Sequence, residues 1–235
     1  MSATAPRRSV DRLLYRWTPL VTACIVFVGF ANTYYLKRLF GTPPLTALVH
    51  VHGLLMTSWF VLFIVQTRLV AAGRTDLHRR LGIAGALLAV AILIAGPLVA
   101  IAGARLGHTP GPPPLAFLVV PLGDMLVFAT LVGTGLAFRR RSDIHKRLML
   151  LSCVGLLTAA IARLPGEAWH RAGIPAYFGL TILLVLACVG FDTWRHRRLH
   201  PAFAWGAGLI IVSWPLRLFL SGTAAWLAIA TWLTR

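Results

Sequence analysis

The chain has 235 residues, of which 58% are hydrophobic and only 12% charged, and its mean hydropathy is +0.78. A soluble domain of this length would carry about a quarter charged residues, so the composition excludes one. The formal net charge of +17 invites a nucleic-acid reading, but the basic residues sit in short turns between apolar stretches, where they set orientation in a bilayer; no nucleic-acid partner is expected.

Apolar windows of membrane-spanning length predict an all-α integral membrane bundle of seven transmembrane helices, over 17–36, 45–69, 79–104, 115–138, 146–164, 174–193 and 202–222. A basic tail, 1–16, precedes this transmembrane domain of 17–222. A last segment, 223–235, contains the apolar stretch Ala224–Leu233, which either extends the seventh helix or lies along the interface. "VTAC" at Val21–Cys24 has the outline of a lipoprotein cleavage box, but the apolar run before it is short, broken by Pro19, and continues to Leu36, so it reads as an uncleaved first span. Helix breakers punctuate the turns: "GTPP" after the first span, "GHTPGPPP" after the third, "LPGE" after the fifth. Cys24, Cys153 and Cys188 all fall inside spans, where they act as small hydrophobes.

The loops fix an expected orientation. Arg7, Arg8, Arg12 and Arg16, then Arg68, Arg74, Arg79 and Arg80, then Arg139, Arg140, Arg141, Lys146 and Arg147, then Arg195, Arg197 and Arg198 share one side, sixteen of 23 Lys and Arg. The other side's connections hold Lys37, Arg38, Arg105, Arg163 and Arg171. By the positive-inside rule the N-terminus lies in the cytoplasm and the C-terminus in the periplasm of a bacterial inner membrane, with the lipid bilayer as first partner.

Two of the basic turns echo one another: "RTDLHRRLG" at Arg74–Gly82 and "RSDIHKRLM" at Arg141–Met149, with a looser third version, "WRHRRLHPA", at Trp194–Ala202. Each clear copy opens a helix from the cytoplasm. Asp76 and Asp143 are placed to cap free backbone N–H groups there, and the cations anchor the turn. Histidine is what this account leaves over. Interfacial histidines can cap backbone carbonyls or meet lipid headgroups; if the helices adjoin, His78 and His145 stand at one depth and can instead ligate a haem iron axially from facing helices, which would call for haem b. Neutral histidine also serves Zn or Cu, but no accompanying carboxylate or thiolate spacing is present. His196 and His200 have the i,i+4 spacing of a helical metal site.

The outer half is polar differently. In "HVHGLLMTSW", His52 starts a stripe that continues through Trp59 and Gln66 at every seventh residue, and Gly53 leaves room for a neighbouring backbone. Asp124 follows Pro121 and Gly123 inside the fourth span, Arg217 follows Pro215 in the seventh, and Arg163 stands at the outer end of the fifth. Ionisable groups within spans are candidates for function. An unpaired Asp124 stays protonated or seeks a cation, for which Arg217 and His52 are the expected partners.

No Walker loop, G-x-S-x-G elbow, H-E-x-x-H or dinucleotide fingerprint is present, and neither lysine, Lys37 nor Lys146, falls in the seventh span to hold retinal. With "HVHGLLMTSWFVLFIVQTRLV", "GRTDLHRRLG" and "IHKRLMLL", the chain resembles a group of bacterial seven-helix, multi-pass membrane proteins of unknown function. That group pairs an outer-side H-x-H-G helix with H-R-x-L-G at the next cytoplasmic helix start and H-x-R-L-M further on. A looser similarity, to b-type cytochromes and haem-handling membrane proteins, rests on the histidines at helix ends and implies one inner haem, since no second histidine pair crosses the outer half. The expected activity is binding or passing a small molecule or lipid through a periplasm-facing polar pocket lined by His52, Asp124, Arg163 and Arg217. The rival is a b-type haem oxidoreductase or haem-handling protein using His78 and His145, and the third reading is an assembly or scaffold subunit without a site.

Overall fold

The computed structural model describes the backbone of residues 5–109 and 113–235, and side chains from residue 13 onward. Arg7, Arg8 and Arg12 and the centre of the "GHTPGPPP" turn lie outside the described side chains. Among the described residues seven helices are long and apolar enough to cross a membrane: α1 (Leu13–Tyr35), α2 (Ala47–Ala71), α3 (Thr75–Arg105), α4 (Pro114–Ala137), α5 (Ser142–Ile161), α6 (Glu167–His196) and α7 (Pro201–Ser221). A shorter helix, α8 (Ala224–Leu233), follows. The chain is an all-α membrane bundle. Short turns alternate between its two ends: a basic end, where α3, α5 and α7 begin, and a far end, where α2, α4 and α6 begin.

Hydropathy marks only the apolar part of each helix. Helix α3 therefore overruns it, starting at Thr75 rather than 79, because Leu and Arg continue a helix readily. Gly173 interrupts α6 with a left-handed φ of 65°, two residues before Pro175, a conformation that glycine adopts without strain. The last turn of α1, Ala31–Tyr35, is a π-turn. Thr46 caps α2 by accepting from the Val49 amide at 3.4 Å.

The central helix is α5. Of its apolar window 67% is buried, against 17–33% in the other six. The outer helices turn large apolar side chains such as Leu87, Leu126 and Phe219 outward, the distribution expected when the surrounding solvent is hydrocarbon. Against α5, α1 approaches so closely that a Cβ on Gly29 would collide with the backbone of Ala160. The core, including Phe128, Leu131, Leu148, Leu151, Phe203 and Ile210, lies where α4, α5 and α7 meet.

The segment after α7 resolves as a separate helix. Thr223 caps α8 from the Trp226 amide at 3.3 Å, and α8 folds onto the far ends of α3 and α4. Ala230 packs with Ala104 and Leu118, the Trp226 indole donates to the Leu115 carbonyl at 2.9 Å, and Arg105 donates to the carbonyls of Thr234 (3.0 Å) and Leu233 (3.4 Å).

Candidate functional site

At the basic end the two echoed segments build the same helix start twice. Neither aspartate caps it. Arg74 and Arg141 occupy the cap positions without a side-chain bond, and Asp76 and Asp143 lie one residue inside, in the first turn. There a negative charge is favoured by the helix dipole instead. His78 and His145 both become the fourth residue of their helices, and α4 packs against both of those helices.

The two imidazoles meet. Their ring centres are 6.3 Å apart with planes at 76°. His145 Nδ1 is 2.8 Å from the Gly135 carbonyl oxygen of α4; donating there, it fixes the tautomer and leaves Nε2 unprotonated, the form in which imidazole binds a metal. Among the described residues, His78 Nδ1 is buried with no hydrogen-bond partner. A metal–imidazole bond of about 2 Å, and the further ångström or so from nitrogen to ring centre, puts the centres of two trans imidazoles about 6 Å apart. His78 and His145 would be the two residues to hold a haem here, and their separation is compatible with that. Among the described residues no group of three or more His, Cys, Asp or Glu could hold a metal ion.

The third echo is structural. Helix α6 ends at His196, Arg197 turns left-handed with φ 58°, and His200 caps α7, its Nδ1 accepting from the Ala202 amide at 3.2 Å. The i,i+4 helical spacing expected for His196 and His200 is thus broken by the turn between them. His200 Nε2 lies 3.3 Å from Asp143 of α5, and His196 Nδ1 lies 2.9 Å from the Asp192 carbonyl. Burial, and after it the Arg147 charge, holds His200 below the usual histidine pKa, with Asp143 pulling the other way. Beneath them Arg147 and Asp192 form a buried ion pair, side chains 4% and 3% exposed. Sequence reasoning counted Arg147 only as an anchoring charge and passed over Asp192; an acidic residue inside the last apolar turn of a span was the signal that could have found it.

In the far half, Asp124 finds Arg217, as one of its two expected partners. Arg217 also donates to the Val120 carbonyl at 3.2 Å and to Ser213 Oγ at 2.9 Å, and its guanidinium lies 5.4 Å from the Trp214 ring centre. Gly123 makes the contact feasible, because a Cβ there would sit 2.5 Å from Arg217 Nε. The other two residues of the expected pocket do not join this pair. Arg163 turns back to the Ala159 carbonyl (2.7 Å) and covers the Phe30 ring at 4.9 Å. His52 leaves Nδ1 buried on α2 without a partner among the described residues, beside Gly53, where the Tyr34 ring occupies the space a Cβ would need. Among the described residues no hydrogen bond or ion pair links His52 or Arg163 to Asp124–Arg217. A groove of about 320 Å³ opens elsewhere, lined by apolar residues of α1, α5 and α6 including Trp17, Leu157 and Phe191. Of the four residues, only Asp124 and Arg217 are bonded to one another.

Compared with family models, curated proteins and solved structures, the chain finds no match in any of the three.

Proposed function

We propose that this chain is a membrane haem protein of the bacterial inner membrane, with its N-terminus in the cytoplasm, its C-terminus in the periplasm, and one haem b held near the cytoplasmic face by His78 and His145. The observation that carries the reading is the meeting of two half-buried imidazoles from separate helices at 6.3 Å, one of them already held by a backbone carbonyl through Nδ1. A haem held by His78 and His145 would supply a one-electron couple, suited to electron transfer. The chain's own residues do the rest. Gly135 fixes His145, α4 packs against both helices that carry the two rings, and the exposed cations Arg79, Arg80 and Arg139 to Arg141 border the two histidines in sequence, giving the site a positive rim for carboxylate-bearing propionates.

The test is the absorbance of protein purified in mild detergent after expression with haem precursor. Oxidised and dithionite-reduced spectra should show a Soret band and sharp reduced α and β bands, lost in both His78→Ala and His145→Ala. A colourless wild-type protein under those conditions ends the haem reading and returns the echoed histidines to a structural role.

A second reading has its own support. Asp124 and Arg217 place opposite charges inside the far half of the bundle, where a small anionic or carbonyl-bearing molecule arriving from the periplasm would find a cation and an exchangeable partner. Transport or binding of such a molecule should disappear in Asp124→Asn and Arg217→Gln. Unchanged uptake in a folded Asp124→Asn protein counts against it.

A further inference from the structure

The polar stripe of α2 ends at Gln66, a residue that neither reading uses. Its amide lies against α3, with Nε2 3.9 Å from the place a Cβ on Gly82 would occupy. Gly82 is one helical turn from His78 and on the same face of α3. Two buried polar atoms, the Gln66 amide oxygen Oε1 and His78 Nδ1, have no partner among the described residues. They are complementary, since an amide oxygen accepts and an imidazole Nδ1–H donates. Leaving a buried donor and a buried acceptor unmade is costly, and a hydrogen bond between the two would relieve both.

His145 shows what such a bond accomplishes. With Nδ1 committed to the Gly135 carbonyl, that ring has one orientation and one tautomer, and Nε2 is the free nitrogen. His78 sits at the equivalent place in its helix with no backbone carbonyl on its Nδ1. We infer that Gln66 is the positioning residue of His78: its amide oxygen accepts the Nδ1 proton, holds the ring in the tautomer whose Nε2 is free, and so makes the two imidazoles equivalent toward a metal between them. This rests on the haem reading for its purpose, and the pairing itself involves only residues of this chain. Oriented second partners of this kind raise ligand basicity and tighten metal binding.

The experiment compares wild type, Gln66→Leu and Gln66→Glu, all reconstituted with haem. Three readings are taken: the rate of haem transfer to a haem-scavenging globin, the midpoint potential, and nitrogen NMR of His78 in the haem-free protein. Gln66→Leu should release haem roughly 10- to 100-fold faster and raise the midpoint, because a less basic imidazole stabilises the ferric state less. Gln66→Glu, which keeps the acceptor and adds charge, should restore slow release and lower the midpoint below wild type. In the haem-free protein, Gln66→Leu should shift the His78 tautomer population, a change that a packing role alone would not produce. Unchanged release, potential and tautomer in Gln66→Leu, while His78→Ala loses the haem, would overturn the inference and leave the haem reading standing. A wild-type protein that takes up no haem overturns both.

Discussion

Arg147 and Asp192 face each other as fork to fork: Nη2 donates to Oδ1 at 2.8 Å, Nε to Oδ2 at 3.0 Å, and Nη1 donates to the Asp143 carbonyl at 2.8 Å. The pair ties α5 to α6, with the guanidinium 5.6 Å from the Phe203 ring centre on α7. Three helices therefore converge on one charge. Two charges this deep are tolerated because each satisfies the other, and removing one strands its partner. Arg147→Met alone should cost about 3–5 kcal/mol of unfolding free energy, and Arg147→Met with Asp192→Leu should recover most of it. Denaturation in mixed micelles measures both. A double variant as unstable as the single one would mean that the ion pair itself, rather than avoidance of a lone charge, holds the helices.

Glycines set two of the helix contacts, and alanine scanning separates them from the others. Gly29→Ala drives a methyl into the Ala160 backbone and Gly123→Ala drives one into the Arg217 side chain, whereas a Cβ on Gly133 meets nothing within 4 Å. The first two should lose about 1–3 kcal/mol through overpacking. Gly133→Ala should be neutral or gain up to about 1 kcal/mol from helix propensity. Thermal unfolding of the three detergent-solubilised variants is enough to rank them.

Acid should loosen the basic end through His200. Its pKa is held below the ordinary value of about 6.5 in the folded chain, so the unfolded chain binds the proton first as pH falls. The associated stability is complete above about pH 6.5 and is lost as pH drops toward the folded-state pKa. His200→Asn keeps an N-cap for α7 without the titration. Its melting temperature should fall less between pH 8 and pH 5 than that of wild type; parallel curves would show that some other group carries the acid sensitivity.

The attachment of α8 predicts a modest, separable contribution. Trp226→Phe removes the indole donor from the Leu115 carbonyl and should cost about 1 kcal/mol. Hydrogen exchange in Trp226→Phe should rise in α8 and in the turn before α4, and leave the protection of α5 unchanged. Uniform loss of protection would indicate that α8 is integral to the bundle rather than an added clasp.

The number of helices was readable because a bilayer demands long apolar runs, and all seven expected spans correspond to helices. Their ends were less readable: Asp76 and Asp143 resemble caps in sequence, yet each helix begins one residue before them, a difference that hydropathy cannot see. Asp124–Arg217 could be anticipated, since a buried acid needs a cation and few were present at that depth. Arg147–Asp192 could not be anticipated from loop counting, because a charge at a span's end looks the same whether it faces water or folds back into the core. Arg163 shows the reverse error. It shares a depth with the polar pair, but its direction around the helix takes it to Phe30, and direction is set by packing that a single sequence does not display.

The 93 residues that separate Asp124 from Arg217 also have a meaning in time. At about 5–20 residues per second, α7 leaves the ribosome on the order of ten seconds after α4. Throughout that interval the bundle contains a carboxyl group inside a membrane segment with its cation still unmade, and the core surface that α7 will cover faces lipid. Biogenesis of this chain thus passes through a six-helix stage that is both unfinished and marked by an unpaired acid, so a membrane chaperone or protease reading exposed polar groups would have Asp124 to inspect until the last span arrives.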